Sequence, residues 1–164
     1  MRRTRFIALV AVVLAVAAVA GAAAVPADTV LVVEDVETGE TYLSVPVEDG
    51  TTVALEYMHS VEKTRVYDGY TVRGDVLEMT RMEFESYGWG LPSRANVTEV
   101  NGTFVYDPPG NTTRLTVSPG QVAKHKLHVG TETYDLVELT DARSVDLHVT
   151  DRSVLAKLID SIHV

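Results

Sequence analysis

The stretch TTVALEYMHSVEKTRVYDGYTVRGDVLEMTRMEFESY, residues 51–87, decides the fold. It falls into three runs, 51–60, 65–73 and 75–87. In the first, Val53, Leu55 and Tyr57 are apolar on one parity, which in a strand is one face. The second and third runs meet at Gly74, a hairpin signal. The third run breaks its own alternation. Leu77 and Met79 are apolar on odd positions, whereas Met82 and Phe84 are apolar on even ones. A period-2 strand buries both pairs only if one extra residue is inserted, so a β-bulge is expected near Thr80-Arg81.

The same reading extends outward. VLVVEDV (30–36) and TYLSVPV (41–47) flank Thr38-Gly39-Glu40, and VTEV (97–100) and TFVY (103–106) flank Asn101-Gly102, a strong hairpin turn. TRLTV (113–117), HKLHV (125–129), TYDLVEL (133–139) and SVDLHV (144–149) read as further strands, separated by Pro108-Pro109-Gly110 and Ser118-Pro119-Gly120. The end, 150–164, reads as an amphipathic helix with Val154, Leu155, Leu158, Ile159 and Ile162 on one face and Thr150 or Asp151 as cap. The expectation is an all-β, antiparallel sandwich or barrel of roughly ten strands, with an N-terminal helix and a short C-terminal one.

That N-terminal helix comes from MRRTRFIALVAVVLAVAAVAGAAAVPAD. Three arginines precede an uncharged apolar run from Phe6 to Val25, long enough to cross a bilayer core. Its length favours an uncleaved anchor, and its Ala-rich end favours a cleaved signal. Residues 1–27 are therefore a signal peptide or transmembrane anchor. Under either reading residues 28–164 form one domain outside the cytoplasm, membrane-anchored or secreted. Without the three leader arginines, eleven basic residues face 23 acidic ones, a net charge of −12. Such a surface disfavours nucleic acid and anionic lipid. With no cysteine, disulfides and thiolate chemistry are excluded.

The polar residues gather in one place. Strands 51–60 and 75–87 run in the same direction, so their ends lie side by side. His59 continues the parity of Tyr57, and Ser86 that of Phe84. His59, Ser60, Glu62, Lys63 and Arg65 are thus expected beside Ser86 and the loop Gly88-Trp89-Gly90, where glycines allow close backbone approach and Trp89 can cover the spot. Several chemistries fit this set unequally. Ser60-Val61-Glu62-Lys63 matches an S-x-x-K pattern, but it lies where a strand enters a loop and no S-D-N or K-T-G follows. His59 with Glu62, or His125 with His128, are three apart and on a strand face opposite ways, which disfavours a metal clamp. No cofactor is expected. A bland reading has Glu62 pairing with Lys63 or Arg65 to close a loop. A binding reading has His59, Lys63 and Arg65 as a positive spot selecting a carboxylate-bearing ligand or an acidic partner. Sequons at Asn96, Asn101 and Asn111 sit near turns and are glycosylation candidates on an exported chain.

HSVEKT (59–64), then VYDGYTV (66–72), then FESYGWGLP (84–92) resemble an uncharacterised family known as domain of unknown function 1850. The matching positions are His59, Ser60, Glu62, Lys63, Thr64, Asp68, Ser86, Gly88, Gly90 and Leu91. Asp68 stands where the family more usually has glutamate, and Trp89 where it has a small residue. The resemblance covers about residues 51–92. It implies association with tripartite ATP-independent periplasmic transporters of the TAXI type, and no established activity. The expectation is a non-catalytic accessory or binding module whose partner is a transporter subunit or solute-binding protein. The alternatives are a small hydrolase using Ser60 or His59, and a purely structural surface domain.

Overall fold

The structure, a computed structural model, describes residues 26–86 and 97–153. The leader up to residue 25, the loop carrying Gly88, Trp89, Gly90 and Asn96, and residues 154–164 lie outside the described residues. Among the described residues no helix is long and apolar enough to cross a membrane. Contacts divide the chain into two units. One comprises the two chain ends, up to Thr29 and from Asp151, and the other Val30–Thr150. In the first, the Thr29 hydroxyl donates to the Asp151 carboxylate at 3.1 Å.

The described chain is predominantly antiparallel β-structure. Its elements are β1 (Pro26–Asp35), β2 (Thr41–Pro46), β3 (Thr52–Met58), β4 (Arg65–Arg73), β5 (Val76–Phe84), β6 (Thr98–Val100), β7 (Thr103–Tyr106), β8 (Asn111–Thr112), β9 (Leu115–Val117), β10 (Lys126–Val129), β11 (Glu132–Asp135), α1 (Leu136–Thr140) and β12 (Val145–Ser153). They form two sheets. The smaller has the order β2-β1-β12-β9 and the larger β11-β10-β3-β4-β5-β7-β6, with β8 also on β5. Both sheets are open, so the barrel alternative is corrected. Alternate residues of both sheets supply one apolar cluster, including Leu31, Val33, Leu55, Val72, Leu77, Leu127 and Leu147.

The bulge lies where the broken alternation demands it. Gly69 pairs with Arg81 and Tyr70 with Met79, so Thr80 stands alone between two pairs. Below it Val72 faces Leu77, and above it Asp68 faces Met82 and Val66 faces Phe84. Leu77 and Phe84 are both fully buried as a result. The β6–β7 turn places Asn101 and Gly102 at φ +52° and +84°, the left-handed pair that a two-residue hairpin turn requires.

Two segments differ in kind from the sequence reading, and the expected strand 113–117 is shortened to β9, with β8 a separate short strand before it. Residues 133–139, expected as one strand, divide into β11 and α1. Asp135 caps the helix: its Oδ1 accepts from the backbone N–H of Val137 at 2.9 Å and of Glu138 at 3.1 Å. Residues 150–153, expected to begin the C-terminal helix, continue β12 instead, and the rest of that helix falls outside the described residues. A buried ionic contact ties β1 to the segment before β12. Asp35 accepts from the Arg143 guanidinium, the Tyr42 hydroxyl and the backbone N–H groups of Glu37 and Thr38. Arg143, helped by the backbone donors, holds the Asp35 carboxyl far below the usual carboxylate range.

Deleting Thr80 makes the alternation of β5 regular, with Leu77, Met79, Met82 and Phe84 still on one face and Arg81 still opposite Gly69. The deletion variant is therefore expected to keep a cooperative thermal unfolding transition, whereas deleting Glu83, which turns Phe84 outward, is expected to lose it or shift it strongly downward. Thr80→Ala, which removes only an exposed hydroxyl contact to Thr71 at 3.2 Å, is expected to cost about 1 kcal/mol or less.

Candidate functional site

The bulge gives the larger sheet a continuous inner face, and register arranges that face in rows. One row is Leu127–Leu55–Asp68–Met82–Tyr106, and the next is Tyr57–Val66–Phe84–Phe104. Asp68 is thus the one carboxylate within these apolar and aromatic stretches, and the exposed Glu99 of β6, paired with Phe104, continues the second row. Val66 and Phe84 are sealed from solvent, whereas Tyr57, Asp68, Met82, Phe104 and Tyr106 are half-buried. None of these seven belongs to the cluster shared by the two sheets. The described inner face therefore has a covered end and a partly open one.

The open end is bounded by the 59–64 loop. The backbone N–H of His59 donates to Thr64 O at 2.8 Å, and that of Lys63 to His59 O at 3.0 Å. Lys63 closes the loop at φ +58°. The imidazole Nδ1 of His59 accepts the Glu62 backbone N–H at 3.2 Å, so a neutral ring carries its proton on Nε2. Glu62 in turn accepts from Ser86 Oγ at 3.1 Å, bridging the loop to the end of β5. Ser86 and Glu62 are therefore in contact, and Glu62 joins them to His59. Ser60 is exposed and makes no hydrogen bond among the described residues.

Asp68 is the electrostatically unusual group. Burial among apolar neighbours pushes its carboxyl up to about 6, only partly opposed by the hydrogen bond with Tyr57. Its Oδ1 is buried with no hydrogen-bond partner, and so is Thr64 Oγ1. Burial, with Asp68 nearby, raises the Tyr57 hydroxyl beyond its ordinary range and the Tyr70 hydroxyl to about 12. The His125 ring stacks on Tyr57 with centroids 5.2 Å apart, and burial lowers its pKa. Tyr57 and His125 belong to this site although the set expected from the sequence lacks them. Their parity with Leu55 and Leu127 was the available signal.

Arg65 is placed differently from the expected open positive spot. It lies on the outer face, where Nε donates to Glu56 at 3.0 Å and Nη1 to Glu83 at 2.9 Å, with its guanidinium carbon 5.1 Å from the Tyr67 ring centre. Arg81 also donates to Glu83, at 2.6 Å. Burial would raise Glu83, but Arg81 and Arg65 outweigh it and lower its pKa. The cross-strand neighbours of β3 and β5 thus already neutralise Arg65. Lys63 is exposed and makes no ion pair among the described residues. His125 and His128 take separate surroundings: His128 Nδ1 lies 2.9 Å from the Thr133 hydroxyl. Among the described residues no group of three or more His, Cys, Asp or Glu is arranged to hold a metal. Asn101 and Asn111 are both exposed, one at the β6–β7 turn and one starting β8.

Fold and site together define an open two-sheet β domain with a polar margin at one end of its larger sheet. The chain belongs to the family described as Domain of unknown function (DUF1850), whose model matches residues 53–136. That span includes the 59–64 loop, Asp68, Ser86 and His125. No curated protein and no solved structure matches the chain.

The raised Asp68 pKa has a defined sign. The unfolded carboxyl ionises near 3.8 and the folded one near 6. Asp68 therefore favours folding most below about pH 3.8, and that contribution is lost as pH rises through about 6. Asp68→Asn removes the ionisation. It is expected to stabilise the fold by about 2–3 kcal/mol at pH 8, a gain that disappears at pH 4, as measured by urea unfolding at both pH values.

Proposed function

We propose that this protein is an exported or membrane-anchored, non-catalytic binding module acting as an accessory to a TAXI-type transporter. The single observation that carries the non-catalytic reading is the state of the 59–64 loop. His59 Nδ1 is engaged by the Glu62 backbone, and Glu62 by Ser86, so neither serves Ser60 as a base. A serine nucleophile needs a base within hydrogen-bond reach, and Ser60 has none among the described residues. The loop's polar groups hold its own shape, which suits presentation of a surface. Lys63, exposed at the closing end of the loop, supplies a contact for an acidic partner segment.

Location and partner follow from other features. The apolar leader behind three arginines supports placement outside the cytoplasm, as an anchored or secreted domain. The transporter partner rests on what the family resemblance implies. A carboxylate-bearing ligand is less well supported than the sequence alone suggests, because Arg65 is already paired with Glu56 and Glu83. The small-hydrolase reading would require Ser60 to acquire a base that this geometry does not supply.

Deleting the gene while leaving the transporter intact is expected to lower solute uptake, and the tagged full chain is expected to co-purify a transporter subunit or solute-binding protein. Lys63→Ala should weaken that capture, whereas Ser60→Ala should leave it unchanged. Unchanged uptake together with no co-purified subunit would remove the accessory reading.

A further inference from the structure

We propose that the partly open inner face around Asp68 binds a small organic ammonium ion with an apolar body. This deepens the binding reading given above and rests on it. The lining is of the kind that holds such a ligand: largely apolar and aromatic, with one placed polar group. Val66 and Phe84 form a sealed floor, and Tyr57, Met82, Phe104 and Tyr106 stand around it half-exposed. Asp68 lies within that frame with Oδ1 lacking a hydrogen-bond partner. An oxygen left so calls for a donor, since a buried acceptor without one costs roughly 1–3 kcal/mol. An ammonium supplies a donor and the opposite charge together.

The sign of the ligand follows from where the other charges lie. Arg65 and Arg81 share the outward parity of β4 and β5 and are held there by Glu56 and Glu83. Among the described residues no Lys or Arg occupies the inner parity of β3, β4, β5, β7 or β10. A carboxylate ligand would meet Asp68 unopposed, whereas an ammonium meets it with the faces of Tyr57 and its stacked neighbour His125 close by. The acidic charge of the whole chain favours approach of the same sign of ligand. The titratable groups facing the site are Asp68 and Tyr70 from β4, Tyr57 from β3, Tyr106 from β7, Glu99 from β6, His125 preceding β10, and His59 and Glu62 in the 59–64 loop. Burial pushes the Asp68 carboxyl up to about 6 and lowers the pKa of the His125 ring, and Asp68→Asn separates the two in the pH arm of the test.

The test uses the full chain purified in detergent, titrated calorimetrically with phenethylammonium and with its neutral counterpart 2-phenylethanol. At pH 7.5 the ammonium is expected to bind at least about tenfold more tightly than the alcohol. Asp68→Asn should remove that preference, and lowering the pH to 5 should weaken ammonium binding similarly, as Asp68 gains its proton. Tyr57→Phe, which keeps the ring, should retain most of the preference. Equal binding of the two compounds, an unchanged preference in Asp68→Asn, or no ammonium binding up to about 10 mM would each overturn the proposal. Transporter co-purification is a separate readout. If it persists while ammonium binding is absent, the accessory reading stands and only the ligand class falls.

Discussion

One extra residue in β5 sets the geometry on which the candidate site depends. A strand pairs its neighbours with a period of two, and the apolar residues of β5 change parity midway. Thr80 absorbs the change, so that Leu77 and Phe84 are both buried on the same face of the larger sheet. Were Thr80 paired in register instead of bulged, Asp68 would face Arg81 in place of Met82, Met82 would lie on the outer side, and the end of β5 would carry Ser86 away from Glu62. The bulge therefore governs packing along most of β4 and β5 and, through that packing, the place where the polar residues converge.

Charge is sorted between the two faces of that sheet. Outside, Arg65 and Arg81 meet Glu56 and Glu83 at the partly exposed surface, where such pairs contribute modestly and mainly specify which neighbours lie together. Inside, Asp68 has no cation, and burial raises its pKa. Asp35 shows the opposite outcome for a still more deeply hidden carboxylate, because Arg143 and two backbone donors lie against it. The contrast marks Asp35 as a structural fastening between β1 and the start of β12. It marks Asp68 as a group whose environment is not complete within the described chain.

Much of the architecture is legible in the sequence because it is written in short-range signals. Alternation locates β3, β4 and β5, Asn101-Gly102 locates a hairpin, and the parity change locates the bulge. The helix at 136–140 is the informative exception. Its residues alternate well enough to pass for a strand, and the decisive feature is the Asp135 carboxylate folding back onto two backbone donors. Asp135 followed three residues later by Glu138 is a capping signal present in the sequence, but it competes there with the apolar alternation around it. The extension of β12 through residues 150–153 is similar, since Thr150 and Asp151 suit a helix cap as readily as a strand end.

By itself the sequence determined the strand-rich class, the position of the bulge, the meander of β3, β4 and β5, and the approach of Ser86 to the 59–64 loop. These depend on periodicity and turn chemistry, which act over a few residues. Only the tertiary structure decided what the charged groups do. Whether Arg65 is open or paired depends on Glu56 and Glu83, which lie on different strands. Whether Asp68 is an ordinary carboxylate or a buried one depends on Leu55, Met82 and Tyr57 across the sheet. Electrostatic character is set by neighbours in space, so Arg65, which looked like part of an open positive spot in one dimension, is paired outside with Glu56 and Glu83, while Asp68 is held within by Tyr57 and no cation.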